Sequence, residues 1–225
     1  MSEIIRIKKG LDIKLKGKAE KIYQLTERAT GYSVKPTDFM GVMPKLVVKV
    51  DDKVKVGSTL FFDKYNPRVK FTSPVSGKIS SINRGERRRI LEVVVEPDAV
   101  DSFKDFKVGD LEKLTREGVT ELLLESGMWP SIIQRPFAII ANPENSPKAI
   151  FISGFDSAPL GPDYDFLLND SKDEFQKGID VLSKLTDGKI HLSVDAAYPA
   201  SETYTMAKNV SLHKFKGPHP AGNPG

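Results

Sequence analysis

The stretch from Pro147 to Phe215 most limits what this chain can fold into, because it reads as a complete β-α-β-α-β unit. Ala149 to Ser153 is a short apolar run behind a proline, the pattern of a parallel strand covered on both faces. Ser171-Lys172-Asp173-Glu174 has the spacing of a capping box, in which a serine and a glutamate satisfy helix-start amides reciprocally. Phe175, Ile179, Leu182 and Leu185 then recur at helical spacing, and Asp187-Gly188 is a stop. Ile190, Leu192 and Val194 alternate as a second strand, Ser201 to Lys208 predicts a shorter helix, and Val210 to Phe215 predicts a third strand. Two right-handed crossovers join them into a small parallel sheet, a Rossmann-like half.

A dinucleotide site in such a half needs a glycine-rich turn running straight from the first strand onto a helix N-terminus that holds the pyrophosphate. After Ser153 the chain instead reads Gly154-Phe155-Asp156-Ser157-Ala158-Pro159-Leu160-Gly161, and the predicted helix waits until Ser171. Asp156, Asp163, Asp165 and Asp170 add negative charge that opposes a phosphate. A nucleotide is not expected in this crevice.

No run approaches the ~20 apolar residues of a transmembrane helix, and Met1 to Arg6 lacks the layout of a secretory signal, so the expectation is a cytoplasmic protein. With no cysteine the chain holds neither a disulfide nor a conventional iron-sulfur cluster. His191, His213 and His219 lack zinc-ligand spacing, so no metal is expected and the two strand histidines are read as satisfied locally. Residues 1–100 hold 21 Lys+Arg against 12 Asp+Glu, and the remainder holds 13 against 18, an asymmetry that suggests two domains. The basic half does not read as nucleic-acid binding. Its lysines alternate singly along strands, Arg87-Arg88-Arg89 follows Gly85-Glu86 in a hairpin turn, and no aromatic pair is interleaved to stack bases.

Residues 1–100 form a β-rich module with N-terminal strands. Leu46 to Val50, Thr59 to Phe62, Val69 to Ile79 and Ile90 to Val95 are its clearest strands. The turn at Asp51 to Gly57 and the Thr72-Ser73-Pro74-Val75-Ser76-Gly77 turn resemble the biotinyl/lipoyl-type barrel sandwich. That family carries a modified lysine between two such turns, but Lys64, ten residues before Pro74, and Lys70, four before it, both have the wrong spacing, so the scaffold is expected to be unmodified. Residues 101–146 are a connecting helix and linker, with Leu111, Leu114, Leu122 and Leu123 on a helix ending at Ser126-Gly127 and Trp129 as core. Residues 147–225 are the Rossmann-like domain. The fold class is α/β, α+β overall. The Gly/Pro-rich tail from Gly217 to Gly225 follows a strand directly, so the domain is expected to be incomplete, with its last strand edge awaiting a further segment.

Lys9-Gly10-Leu11-Asp12, Phe39-Met40-Gly41-Val42-Met43-Pro44-Lys45, Glu121 to Pro130, Leu185 to Lys189 and the closing GPHPAGNPG make the chain resemble the A subunit of the bacterial Na+-translocating NADH:quinone oxidoreductase along essentially its whole length. The resemblance implies a longer native chain, peripheral on the cytoplasmic side of the bacterial inner membrane, partnered by the other subunits and by ubiquinone. It implies no cofactor on this chain, with FMN, FAD, riboflavin and the iron centres on other subunits.

A quinone asks for an apolar slot and one or two hydrogen-bond donors. At the carboxyl ends of the strands, Phe155 or Tyr164 is placed to stack on the ring and Tyr198 or His219 to donate to a carbonyl. The competing expectations are that these four residues only pack the loops, and that the chain is a cofactor-free scaffold or a stand-alone binding module.

Overall fold

The computed structural model describes residues 4–17 and 19–222. In chain order these form β1 (Ile4–Arg6), β2 (Tyr32–Val34), β3 (Pro44–Leu46), β4 (Lys53–Val54), β5 (Thr59–Asp63), β6 (Lys70–Thr72), β7 (Gly77–Arg84) and β8 (Ile90–Pro97). Then come α1 (Arg116–Glu125), β9 (Ile133–Gln134), β10 (Ile139–Ile140), β11 (Ala149–Ser153), α2 (Tyr164–Leu167), α3 (Lys172–Ser183), β12 (Lys189–Asp195), α4 (Glu202–Thr205) and β13 (Val210–Lys216). The fold is mixed α/β, as the sequence indicates, and it divides into two compact units: residues 25–145, and residues 1–24 together with 146–225.

The unit from Leu25 to Asn145 is built on two antiparallel sheets, ordered β2-β8-β7-β4 and β3-β5-β6, with β9 and β10 as a small separate pair. Alternation along β7 and β8 buries Ile79, Ile90, Val93 and Val95. Leu60, Phe61 and Phe71 join that core, and the Phe61 and Phe71 rings stack at 4.7 Å. The arginine run does form the β7–β8 turn: Gly85 N–H donates to the Arg89 carbonyl, and Arg87 and Arg88 both take positive φ. The strand expected over Leu46 to Val50 stops pairing early, because Asp52 turns its carboxylate onto the Lys49 amide and bends the chain. The helix near Leu111 is delayed for a similar reason. Thr115 accepts the Gly118 amide as N-cap of α1, and Asp110 caps a separate short 3-10 turn ahead of it. Trp129 is buried as expected, with its indole N–H donating to the Ala141 carbonyl at 2.7 Å.

The other unit is a parallel sheet ordered β1-β13-β12-β11. The β11, α3, β12 and β13 elements stand where the sequence puts them, and Leu192, Val194 and Tyr204 form a core against Ile152, Leu168, Phe175 and Leu212. Three expectations change. The free edge expected on β13 is covered by β1, whose Ile4, Ile5 and Arg6 register against Lys214, Phe215 and Lys216. Those N-terminal residues therefore extend the parallel sheet rather than the β-rich module. The capping box is not made: Ser171 is the N-cap of α3, but its side chain accepts no helix amide. Asn223, Pro224 and Gly225 of the tail lie outside the described residues.

Candidate functional site

The carboxyl ends of β11, β12 and β13 carry loops 154–163, 196–201 and 217–222. Two separate groups of contacts hold these loops. The first joins the loops after β11 and β13. The Ser153 hydroxyl lies 2.7 Å from the Gly222 carbonyl and 2.8 Å from that of Phe155, which places its proton between the two segments. The Gly222 N–H donates to Ser157 Oγ at 2.8 Å, and Ser157 Oγ stands 3.1 Å from His219 Nδ1. The Ser157 oxygen, which accepts from Gly222, still has its proton and a second lone pair, so it meets Nδ1 as donor or as acceptor according to the ring tautomer.

The N-terminal segment clamps the same histidine by its main chain. Asp12 accepts the His219 N–H at 2.8 Å, and the His219 carbonyl accepts the Leu11 N–H at 2.9 Å. Only glycine fits at position 10, where φ is +155° and a Cβ would stand inside the van der Waals surface of that carbonyl.

The second group holds the start of α2 and the loop after β12. Asp163 caps α2 by accepting the Phe166 N–H and is paired with Lys21 at 2.7 Å. That ammonium, then the Phe166 amide, hold the Asp163 carboxyl below its ordinary range. Tyr23 stacks on Phe166 at 4.8 Å and donates to its carbonyl. Asp165 takes the Ser201 N–H at 3.1 Å. The aspartates that looked like a barrier to phosphate are thus largely occupied in local structure: Asp156 accepts the Ala158 amide in an Asx turn, Asp163 caps, and Asp165 ties two loops together.

Phe155 and His219 belong to the first group and Tyr164 to the second, as the first residue of α2. Tyr198 is 65% exposed in the turn after β12. Among the described residues no hydrogen bond or ring contact links any two of these four. Two cavities, of about 350 and 380 Å³, lie elsewhere: one between residues 104–109 and α1, the other at the amino ends of β12 and β13.

Sequence reasoning missed Tyr204. Its ring is 2% exposed, edge-on to Phe175 at 5.4 Å, and neither its hydroxyl nor that of Ser201 finds a partner among the described residues. Burial, followed by the nearby Asp165 and Asp163 carboxylates, pushes its ionisation well above the ordinary tyrosine range. The four-residue α4 gives too short a pattern for its inward face to be seen in sequence.

The strand histidines are satisfied by each other: His191 Nδ1 and His213 Nε2 are 2.8 Å apart, with Phe151 stacked on His191 at 4.9 Å. Among the described residues no three His, Asp or Glu side chains gather as a metal would need, and no helix is long and apolar enough to cross a membrane. In the β-rich unit, Lys70 pairs with Glu125 on α1, and Lys64 stands in the β5–β6 turn.

Comparison with known proteins gives two family matches. The model for the NqrA N-terminal barrel-sandwich hybrid domain matches residues 5–98, and that for the NqrA second alpha/beta domain matches residues 114–225. Over 223 residues the chain is 39% identical to the A subunit of the Na(+)-translocating NADH-quinone reductase of Yersinia pseudotuberculosis serotype O:1b, covering 97% of this chain and 49% of that protein. The corresponding proteins from Vibrio vulnificus (strain YJ016) and Neisseria gonorrhoeae are 38% and 37% identical over 221 residues, with the same coverage. The chain therefore spans about half the length of these curated relatives.

Proposed function

The chain belongs to the NqrA family, and from that premise we propose that it acts as part of the A subunit of a Na+-translocating NADH-quinone reductase, peripheral on the cytoplasmic side of the membrane. In this reading the other subunits carry the flavins and iron, oxidise NADH and move Na+, while this subunit contributes to docking and to ubiquinone access. The observation that carries the quinone part is the Ser157–His219 contact, which holds the ring by its Nδ1 side. In the tautomer in which Ser157 donates to Nδ1, the Nε2–H is left as a donor of the kind a quinone carbonyl accepts, next to the Phe155 loop. The aspartates, spent on caps and turns, offer a phosphate nothing, and a neutral ring is indifferent to them.

A scaffold without a ligand is the second reading. It is favoured by the close knitting of loops 154–157 and 217–222 around Ser153, Ser157 and Gly222, which leaves a ring to enter from outside that network. One experiment separates the two. The double variant Phe155→Ala/His219→Ala of the full-length protein should bind ubiquinone at least tenfold more weakly, the loss of one donor and one stacking surface, at an unchanged melting temperature. Unchanged affinity, with retained co-purification with the membrane subunits, leaves the scaffold reading standing.

A further inference from the structure

Between β1 and the Asp12–His219 clamp, and beyond it to Lys16, the chain runs as an irregular strap outside any named strand. Its sequence alternates apolar and charged residues in the manner of a half-buried strand, yet its apolar side chains are not buried: Leu11 is 75% exposed, Ile13 64% and Leu15 51%. Interleaved with them, Arg6, Lys8, Lys9, Lys14 and Lys16 are exposed as well. The single carboxylate among them, Asp12, is turned onto the His219 amide. Large apolar side chains left in water next to a run of cations have one common complement, a surface offering both negative charge and hydrocarbon.

We propose that the strap from Ile7 to Lys16, with Arg6 at the end of β1 beside it, is a contact for an anionic lipid surface. Its lysines and arginine draw it to the headgroups, and Leu11, Ile13 and Leu15 enter the boundary between headgroup and acyl chain. Clusters of four to eight basic residues are the usual sequence form of such contacts, and buried apolar side chains give the part of the binding that salt does not screen. The inference concerns the strap alone and does not depend on a quinone site.

The test uses the full-length protein with sedimented vesicles of phosphatidylcholine, alone or mixed with phosphatidylglycerol. Binding is expected only to the mixed vesicles and should weaken as salt is raised. Lys14→Gln/Lys16→Gln should lower the partition coefficient roughly 30-fold, at about one surface-held charge each. The exposed pair Lys49→Gln/Lys53→Gln, in the other unit, should change it little. Leu11→Ser/Ile13→Ser/Leu15→Ser should remove the binding that survives high salt, without lowering the melting temperature.

Equal loss in both lysine pairs would reduce the effect to net charge and overturn the proposal. So would a triple serine variant that binds like the parent. A third contrary result comes from Ile13→Cys: slow thiol labelling in vesicle-free protein would mean that the remainder of the chain, or a second copy, already covers the strap. Finally, strap variants that lose co-purification with the protein subunits but keep vesicle binding would assign the surface to a protein partner instead.

Discussion

Among the described residues, Tyr204 carries a donor with no acceptor. Leaving a buried hydroxyl unpaired costs roughly 1–3 kcal/mol, while replacing it by hydrogen on the same ring frame leaves the Phe175 contact intact. Tyr204→Phe should therefore stabilise the protein by about 1 kcal/mol, read as a rise in melting temperature. A fall instead would show that an ordered water or ligand oxygen holds that proton in solution. At this scale the sequence was legible in chemistry and blind in geometry. His219 could be picked out as a candidate donor from its place in the tail, but the partners that fix it, Ser157 and Asp12, lie 62 and 207 residues away along the chain. Their pairing follows from the loops meeting over the sheet, which no local spacing announces. Phe155 and Tyr164, nine residues apart in one loop, were expected to share a wall, yet Asp163 starts a helix between them and commits Tyr164 to different neighbours.

At the scale of elements, periodicity served where the pattern was long and failed where one side chain diverted the backbone. β11, α3, β12 and β13 could be read because their apolar residues recur over five or more positions; α3 and β12 bury theirs at Ile179, Ile190, Leu192 and Val194, whereas β11, expected to be covered on both faces, is an edge strand that leaves Phe151 exposed. The Leu46 strand and the Leu111 helix were overdrawn because Asp52 and Thr115 each took a backbone amide and ended the repeat. β12 and β13 also set His191 and His213 side by side, one ring donating to the other, and that arrangement requires one of them to be neutral. Burial first, then the charge of His213 and Lys189, lower the His191 pKa. A depressed folded-state pKa means that the unfolded chain takes up the proton first as pH falls. The pair's contribution should thus be complete above the ordinary histidine value of about 6.5 and be lost as pH drops through the lowered one. Thermal unfolding between neutral pH and pH about 5 should show this fall in the parent and a flatter profile in His191→Phe, which keeps the stack with Phe151. Identical profiles would remove the histidine pair as a cause.

For the whole molecule, the charge asymmetry pointed to two domains but could not show that the chain leaves one unit and returns to it. Residues 1–24 belong with 146–225, and the β-rich residues 25–145 are inserted between them. The link is β1, a three-residue strand too short to read and parallel to a partner more than 200 residues away. Its bond from the Ile7 N–H to the Lys216 carbonyl, with the Leu11 and Asp12 contacts to His219, means that β13 has a neighbour on each side and that the tail loop is held from the N-terminus. Deleting residues 1–24 should therefore affect the two units unequally. In the parallel sheet it strips one strand and exposes the β13 amides as an open edge, so hydrogen exchange over Val210 to Lys216 should quicken at least tenfold and the unit should melt lower. In the β-rich unit the core of Leu60, Phe61, Ile79, Val93 and Val95 contains no residue from the deleted segment, and protection over Gly77 to Arg84 and Ile90 to Pro97 should stay as it was. If both units lose protection together, they unfold as one cooperative body and the division is only geometric. If Val210 to Lys216 keeps its protection, β1 contributes nothing to the sheet it borders.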